Sequence, residues 1–210
     1  MQMRTRIILT ALGILLIAGT NGFAADKVAL VIGNSTYSYA ARLSNPANDA
    51  SAVGQLLDAA GFQVDIRNDL DWKGMRRAIL EFSGRTSDAD VAVVFYAGHG
   101  MEVDDRNYLI PTDAELKTDQ DIQYEAIPLA HILDVVQSAR QLRVVILDAC
   151  RDNPFAAKMT RSVASRNWGR GLARVDATAN TLIAFAARAG ATAADNDGEH
   201  SPFTNGQGST

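Results

Sequence analysis

Residues 91–100 have the sequence VAVVFYAGHG, a run of aliphatic and aromatic side chains that ends in a histidine between two glycines, His99. A second run, VVILDAC at residues 144–150, ends in Cys150, the only cysteine of the chain. Short apolar runs of this kind predict buried strands, and open α/β sheets carry their active sites at the carboxyl ends of such strands. A thiol and an imidazole are therefore expected to face one crevice.

This pair is the minimum required for nucleophilic cysteine catalysis. The imidazole of His99 can accept the proton of the Cys150 thiol and later donate it to a leaving amine. The alternative is that Cys150 is a buried core cysteine, as free cysteines often are. Its position at a strand end, beside Asp148 and Arg151, favours the nucleophile.

The rest of the chain alternates between strand and helix patterns. The two runs predict strands at residues 91–96 and 144–147, and further strands are predicted at 28–32, 62–66 and 182–185. Apolar residues at helical spacing predict three helices, with the stripes Ala50, Val53, Leu57 and Ala60 before a capping Gly61; Trp72, Met75, Ile79 and Phe82; and Leu129, Ile132, Val135 and Val136. This alternation predicts an α/β fold, with a mostly parallel sheet of about five strands and helices on both faces.

The amino terminus has the pattern of a signal peptide. Arg4 and Arg6 precede an apolar run at residues 7–18, and small residues follow, so residues 1–25 are predicted to be cleaved. The alternative is a membrane anchor, but the run has 12 residues and a bilayer span needs about 20. We therefore expect a periplasmic or secreted protein without stable membrane insertion after cleavage.

Composition is that of an ordinary globular protein. A chain of 210 residues with 47% hydrophobic residues can bury a sizeable core in one domain or at most two. Loss of Arg4 and Arg6 from the 20 Lys+Arg leaves 18 against 24 Asp+Glu, a net charge of −6. This charge argues against general nucleic-acid binding, and a single cysteine excludes an internal disulfide.

Other kinds of site find little support. The first predicted strand is followed by GNST at residues 33–36, which is neither a dinucleotide fingerprint nor a phosphate-binding loop. The three histidines, His99, His131 and His200, do not combine with Cys150 in a zinc-binding spacing. His131 and His200 are expected on a helix surface and in a loop.

Four segments carry a resemblance to a known family: KVALVIGN at 27–34, LSNPANDA at 43–50, YAGHG at 96–100 and DACR at 148–151. They resemble the motifs of the caspase-like cysteine peptidase clan, nearest to its metacaspase and bacterial caspase-like branch. His99 and Cys150 are 51 positions apart, close to the roughly 50 of caspases. The resemblance implies a caspase-like catalytic domain at residues 26–204, followed by a polar tail at 205–210.

The resemblance also implies an activity, that of a cysteine-type endopeptidase acting on proteins or peptides. His99 and Cys150 would form the catalytic dyad, and the backbone N–H groups of Gly100 and Cys150 the oxyanion hole. No third residue that would orient His99 is apparent in the sequence.

Specificity is expected to depend on two acids. True caspases have Gln-Ala-Cys, whereas Asp148 replaces the Gln here, as in the metacaspase-like branch. In that branch the acids that match Asp49 and Asp148 line a pocket for arginine or lysine before the scissile bond, because carboxylates hold a buried cation by charge-assisted hydrogen bonds. Alternatively, Asp49 is a solvated acid in the first turn of a helix and Asp148 caps a loop.

No cofactor is expected, with calcium as the alternative. Metacaspases bind calcium on an acidic loop after the histidine region, and Asp104, Asp105 and Asp113 resemble a remnant of it. The glycine-containing pattern is absent, and one such loop supplies too few of the six to eight oxygen ligands that calcium takes.

The carboxyl-terminal part departs from the family pattern. The bacterial branch usually has Thr-Ala-Pro-Gly after the last strand, whereas residues 187–190 are ARAG, and Arg188 is expected near the acidic pocket. A helix is predicted to begin at Ser201 and Pro202. The sequence ends at Thr210, so the last elements of the caspase-like fold are expected to be truncated.

Residues 158–174 contain five basic residues among small and polar ones: Lys158, Arg161, Arg166, Arg170 and Arg174. The segment is either a solvated connecting loop or a linker for self-cleavage, since an enzyme specific for basic residues would meet five targets there. In the resembling family, cuts in this linker accompany maturation.

Two functions therefore stay open. One is a cysteine endopeptidase that cuts after arginine or lysine. The other is a catalytically silent caspase-like module that binds peptides by strand addition to a sheet edge. The presence of both His99 and Cys150 favours the enzyme, whereas Arg188 and the expected truncation favour the module.

Overall fold

The computed structural model describes residues 25–150, 154–155, 158–160, 168–169, 172–173, 175–176 and 178–185. The elements in chain order are β1 (Lys27–Gly33), α1 (Pro46–Ala59), β2 (Gln63–Asn68), α2 (Trp72–Thr86), β3 (Val91–Val103), β4 (Arg106–Leu109), α3 (Ile122–Glu125), β5 (Ile127–Pro128), α4 (Leu129–Val136), β6 (Leu142–Cys150), β7 (Trp168–Gly169) and β8 (Thr181–Phe185). Within these ranges, no helix has the length and apolarity that crossing a bilayer requires.

A parallel sheet forms the centre of the molecule, with the strand order β2-β1-β3-β6-β8. Strands of β-branched and aliphatic residues suit its middle because both faces are covered there. The helix α1 covers one face, against Val31, Phe95 and Ala97. The helices α2 and α4 cover the other face, and their buried side chains include Met75, Ile79, Phe82, Leu129, Ile132 and Val136. The predicted α/β fold, with five parallel strands and helices on both faces, is confirmed.

Several boundaries differ from the predicted ones. The predicted strand at 91–96 continues as β3 to Val103, and its second half pairs antiparallel with β4 and β7. The short elements β4, β5, β7 and α3 were not predicted. Ala60, assigned to the buried stripe of the first helix, is an exposed C-cap residue, while Gly61 follows it at a φ of 83° as the expected left-handed cap. His131 is exposed on α4, as expected.

Some predictions fall on residues that the structure does not describe. They concern residues 1–24 of the predicted signal peptide, the stretch around Arg188, His200, the predicted helix start at Ser201 and the polar tail. The predicted domain limits stay predictions.

Candidate active site

The strands β3 and β6 lie side by side in parallel, and their register sets His99 beside Cys150. Adjacent strands are about 4.8 Å apart, so the two residues, 51 positions apart in sequence, are immediate neighbours at the ends of their strands. Two residues earlier, Asp148 lies beside Ala97, and Ala97 lies beside Gly33 of β1. The expected convergence of the histidine and cysteine motifs at one edge of the sheet is therefore found in the backbone.

The imidazole of His99 is buried, with 4% of the residue exposed. Its ring centroid lies 4.4 Å from that of Tyr37 and 6.4 Å from that of Phe155, which it meets edge-on. Its Nε2 lies 3.0 Å from the carbonyl oxygen of Ala41. A carbonyl only accepts, so we infer that Nε2 carries the proton and that Nδ1 carries the lone pair of the neutral ring.

The carbonyl group of Ala41 therefore orients the ring of His99, as a third group beside His99 and Cys150. Sequence reasoning missed it because the group is a backbone carbonyl in the loop between β1 and α1. A carbonyl group is present at every position, so it leaves no signal in residue identity.

Two tyrosine hydroxyls hold the backbone of His99. Its N–H donates to the hydroxyl oxygen of Tyr37 at 2.8 Å. Its carbonyl oxygen accepts from the hydroxyl of Tyr96 at 2.7 Å and from the N–H of Ile110 at 3.0 Å. A Cβ atom at Gly98 would lie 2.7 Å from both hydroxyl oxygens. Glycine is required at this position because the two hydroxyls close around it.

Gly98→Ala is therefore expected to displace these hydroxyls and to lower the free energy of unfolding by about 1 to 3 kcal/mol. The measurement is urea denaturation. Gly84→Ala is the matched control, because Gly84 lies in α2 and its added Cβ would meet nothing within 4 Å. In Gly84→Ala the free energy of unfolding is expected to rise by about 0.5 to 1 kcal/mol. Equal stability of Gly98→Ala and the wild type would contradict the packing argument.

Gly100 lies opposite Leu109 in the antiparallel ladder of β3 and β4. The adjacent pair, His99 and Ile110, is joined by a hydrogen bond, so the N–H of Gly100 is directed away from β4 and toward the side of β6. A Cβ here would lie 3.0 Å from the Cβ of Ala149. The glycine thus permits the close approach of β3 to the end of β6, and its N–H lies on the side where Cys150 ends that strand.

Both predicted specificity acids are buried, Asp49 with 1% and Asp148 with 8% of the residue exposed. Asp49 lies in the first turn of α1, which packs so closely on Gly33 that a Cβ there would lie 2.5 Å from the carbonyl oxygen of Pro46. Asp148 is in register with Ala97, on the face that α1 covers. The two acids therefore lie on one side of the sheet. The alternative of a solvated Asp49 is wrong.

The acids considered for calcium have other local roles. Asp104 and Asp105 form the two-residue turn between β3 and β4, with φ values of 51° and 61°. Asp113 accepts the N–H of Trp72 at the start of α2, at 2.8 Å. Among the described residues, no cluster of three or more His, Cys, Asp or Glu residues is suited to a metal ion.

Parts of the segment 158–174 are packed against the domain. Lys158 is exposed in a turn, while the other four basic residues lie outside the described ranges. Leu172 is buried in the core at 4% exposure, and the side-chain amide of Asn107 bonds to both the N–H and the carbonyl of Ala173, at 2.6 and 2.8 Å. The description as a solvated loop is therefore wrong for Leu172.

A mostly parallel sheet with helices on both faces defines the chain as an α/β protein, and a histidine and a cysteine lie in register at the carboxyl edge of this sheet. The chain belongs to the Caspase domain family, whose model matches residues 26–206. It is thus a member of the caspase-like cysteine peptidase clan.

Two relatives and one solved structure are similar to the chain. Mucosa-associated lymphoid tissue lymphoma translocation protein 1 of Homo sapiens is 33% identical over 129 residues, which cover 61% of this chain and 15% of that protein. Its homolog in Mus musculus is 32% identical over 129 residues, with the same coverage. The chain therefore spans about 15% of the length of these curated relatives. The Drosophila initiator caspase Dronc matches with a TM-score of 0.52 and 14% identity, over 76% of this chain and 54% of that one, which shows the shared fold.

Proposed function

We propose that the protein is a cysteine endopeptidase that uses His99 and Cys150 as its dyad and cuts after arginine or lysine. The observation that carries the proposal is the register of β3 and β6, in which the one cysteine of the chain is the neighbour of the buried histidine. A core cysteine has no need of such a neighbour, whereas a nucleophile needs a base within reach.

The chemistry begins with proton transfer. A free thiol has a pKa of about 8.5, so at neutral pH His99 must take the proton of Cys150. With Nε2 bonded to Ala41, the nitrogen that accepts the proton is Nδ1. The carbonyl of Ala41 then stabilises the imidazolium, because a hydrogen bond from a charged donor is stronger than one from a neutral donor.

The thiolate attacks the carbonyl carbon of the scissile bond to form an S–C bond, and the π electron pair of the C=O bond moves onto the oxygen. The N–H groups of Gly100 and Cys150 would stabilise this oxyanion, each contributing about 10² to 10³ in rate. The imidazolium returns its proton to the leaving amine as the C–N bond breaks and a thioester forms. Water, deprotonated by His99, then hydrolyses the thioester and regenerates the thiol.

Two buried acids support the preference for a cationic side chain. An arginine or lysine that enters beside Asp49 and Asp148 would meet two buried acids, and charge-assisted hydrogen bonds between a cation and carboxylates are strong. In the same proposal the chain is exported, residues 1–25 are removed, and the mature protein acts in the periplasm or the medium.

The proposal is tested by assaying purified chain from residue 26 onward with reporter peptides that end in arginine, lysine or aspartate before the reporter group. Hydrolysis of the basic peptides, and its loss after iodoacetamide treatment, is expected because Cys150 is the only thiol. Binding of peptides without turnover would instead favour the silent module. That alternative rests on β8, which among the described strands pairs only with β6 and so offers an edge.

If the enzyme cuts its own linker, intact-mass analysis of the purified chain is expected to find fragments that end at basic residues within 158–174, and none in Cys150→Ala. The two pieces are expected to co-elute in size-exclusion chromatography after a cut at Arg161 or Arg166. Leu172 and Ala173 hold the second piece to the core and to Asn107, and β8 pairs with β6. An uncut wild type that hydrolyses arginyl peptides would show that the segment is a connecting loop and not a site of self-cleavage.

A further inference from the structure

The loop at residues 34–45, between β1 and α1, carries two of the groups that contact His99 from outside its own strand. These are the Tyr37 side chain, which packs on the ring and accepts the backbone N–H, and the carbonyl of Ala41, which accepts from Nε2. The orientation of the imidazole therefore depends on where this loop lies.

Asp69 fixes the start of the loop. It lies in the connection between β2 and α2, and its Oδ1 accepts the N–H of Ser35 at 2.7 Å and of Thr36 at 2.9 Å. Its own N–H donates to the carbonyl of Gly33 at 3.0 Å. Asp69 thus bonds to the chain on both sides of Asn34, where β1 ends and the loop begins. Its φ of 50° is a left-handed conformation that few residue types adopt readily.

Asn34 makes the reciprocal connection. Its side-chain oxygen accepts the N–H of Leu70 at 3.0 Å, and the residue is fully buried. Further along the loop, the N–H of Ser38 bonds to the carbonyl of Thr112 and the N–H of Leu43 bonds to that of Ser35. The loop is therefore held at Ser35 and Thr36 by Asp69 and further along by backbone hydrogen bonds.

We propose that Asp69 is a positioning residue, whose carboxylate fixes residues 35–36 so that the loop delivers Tyr37 and Ala41 to His99. This inference rests on the proposed function, because it concerns the histidine of the proposed dyad. Asp69 is exposed and accepts from backbone N–H groups through a carboxylate oxygen, which makes strong bonds. It acts on the reaction only through the loop.

The test uses three variants and two readouts. Asp69→Asn keeps an oxygen acceptor and a residue type that tolerates positive φ, whereas Asp69→Gly keeps only the backbone conformation. Asp71→Ala is the matched control. Asp71 is also exposed and lies two residues away, but its carboxylate caps α2 by accepting from the N–H of Gly74. The readouts are kcat and KM with an arginyl peptide, and the tautomer of His99 in two-bond ¹H–¹⁵N spectra.

Asp69→Gly is expected to lower kcat by about 10-fold to 100-fold with KM nearly unchanged, since a displacement of about 1 Å has effects of this size. Its His99 ring is expected to lose the uniform Nε2–H tautomer. Asp69→Asn and Asp71→Ala should keep the kcat and the tautomer of the wild type, although Asp71→Ala loses a helix cap.

The tautomer readout separates failure of the inference from failure of the proposed function. A wild-type tautomer in Asp69→Gly would overturn the positioning role, whether or not the protein is a peptidase. Equal losses of kcat in Asp69→Gly and Asp71→Ala would also overturn the positioning role. A general loss of protein stability, and not a displacement of the loop, would then explain both. If the wild type hydrolyses no peptide but Asp69→Gly still loses the tautomer, the peptidase proposal fails and the positioning role is supported.

Discussion

Cys150→Ala and His99→Ala are each expected to lower kcat by at least about 10⁴-fold, and the double variant is expected to be little worse than either. The reason is that a dyad acts as one unit. Without the thiol no thioester forms, and without the imidazole the thiol stays largely protonated and the leaving amine receives no proton. The measurement is kcat and KM of all three variants with one arginyl peptide.

The experiment needs evidence that the variants fold, because His99 is buried and its ring packs on Tyr37 and Phe155. His99→Gln retains a polar side chain of similar length and serves as the second variant. His131→Ala is the histidine control, since His131 is exposed on α4. A folded variant at either dyad position that keeps more than about one hundredth of wild-type turnover would show that the assignment is wrong. Removal of a true dyad residue lowers kcat by far more than about 100-fold.

The parallel sheet could be predicted from sequence because its strands are continuous apolar runs, which is typical of strands buried on both faces. The extension of β3 beyond residue 96 to Val103 could not be predicted. Gly98 and Gly100 are typical of a strand end, but both serve close packing here: Gly98 lies between two hydroxyls, and Gly100 lies against Ala149. Residues 101–103 then return to an alternating pattern, which is too short to predict a strand alone.

The two motifs of the candidate site could be predicted because each ends a strand of the parallel sheet. The groups around His99 could not, since they depend on tertiary contacts. Ala41 acts through its carbonyl, and Asp69 acts on backbone N–H groups 33 or more positions away. The burial of Asp49 has the same origin, because the first turn of α1 packs on Gly33. An acid in a first helical turn is usually solvated, and this one is covered by its surroundings.

Asp148→Asn is expected to remove the preference for arginine or lysine before the scissile bond. The loss of one charge of a buried ion pair has an effect of about 2 to 5 kcal/mol, which is roughly 30-fold or more in kcat/KM for the basic peptides. Asp49→Asn is also expected to lower kcat/KM for the basic peptides. The measurement is kcat/KM for peptides that differ only in the residue before the cut.

Asp58→Asn is the control for lost charge, because Asp58 lies in α1 with Asp49 but is exposed. It should leave the preference unchanged. Alkylation of Cys150 by iodoacetamide should persist in every acid variant, since these substitutions alter the pocket and leave the dyad in place. A wild type that cut after aspartate would overturn the acidic pocket, because two buried carboxylates would repel that side chain. The same protein would still be a cysteine peptidase, so specificity and catalysis are tested independently.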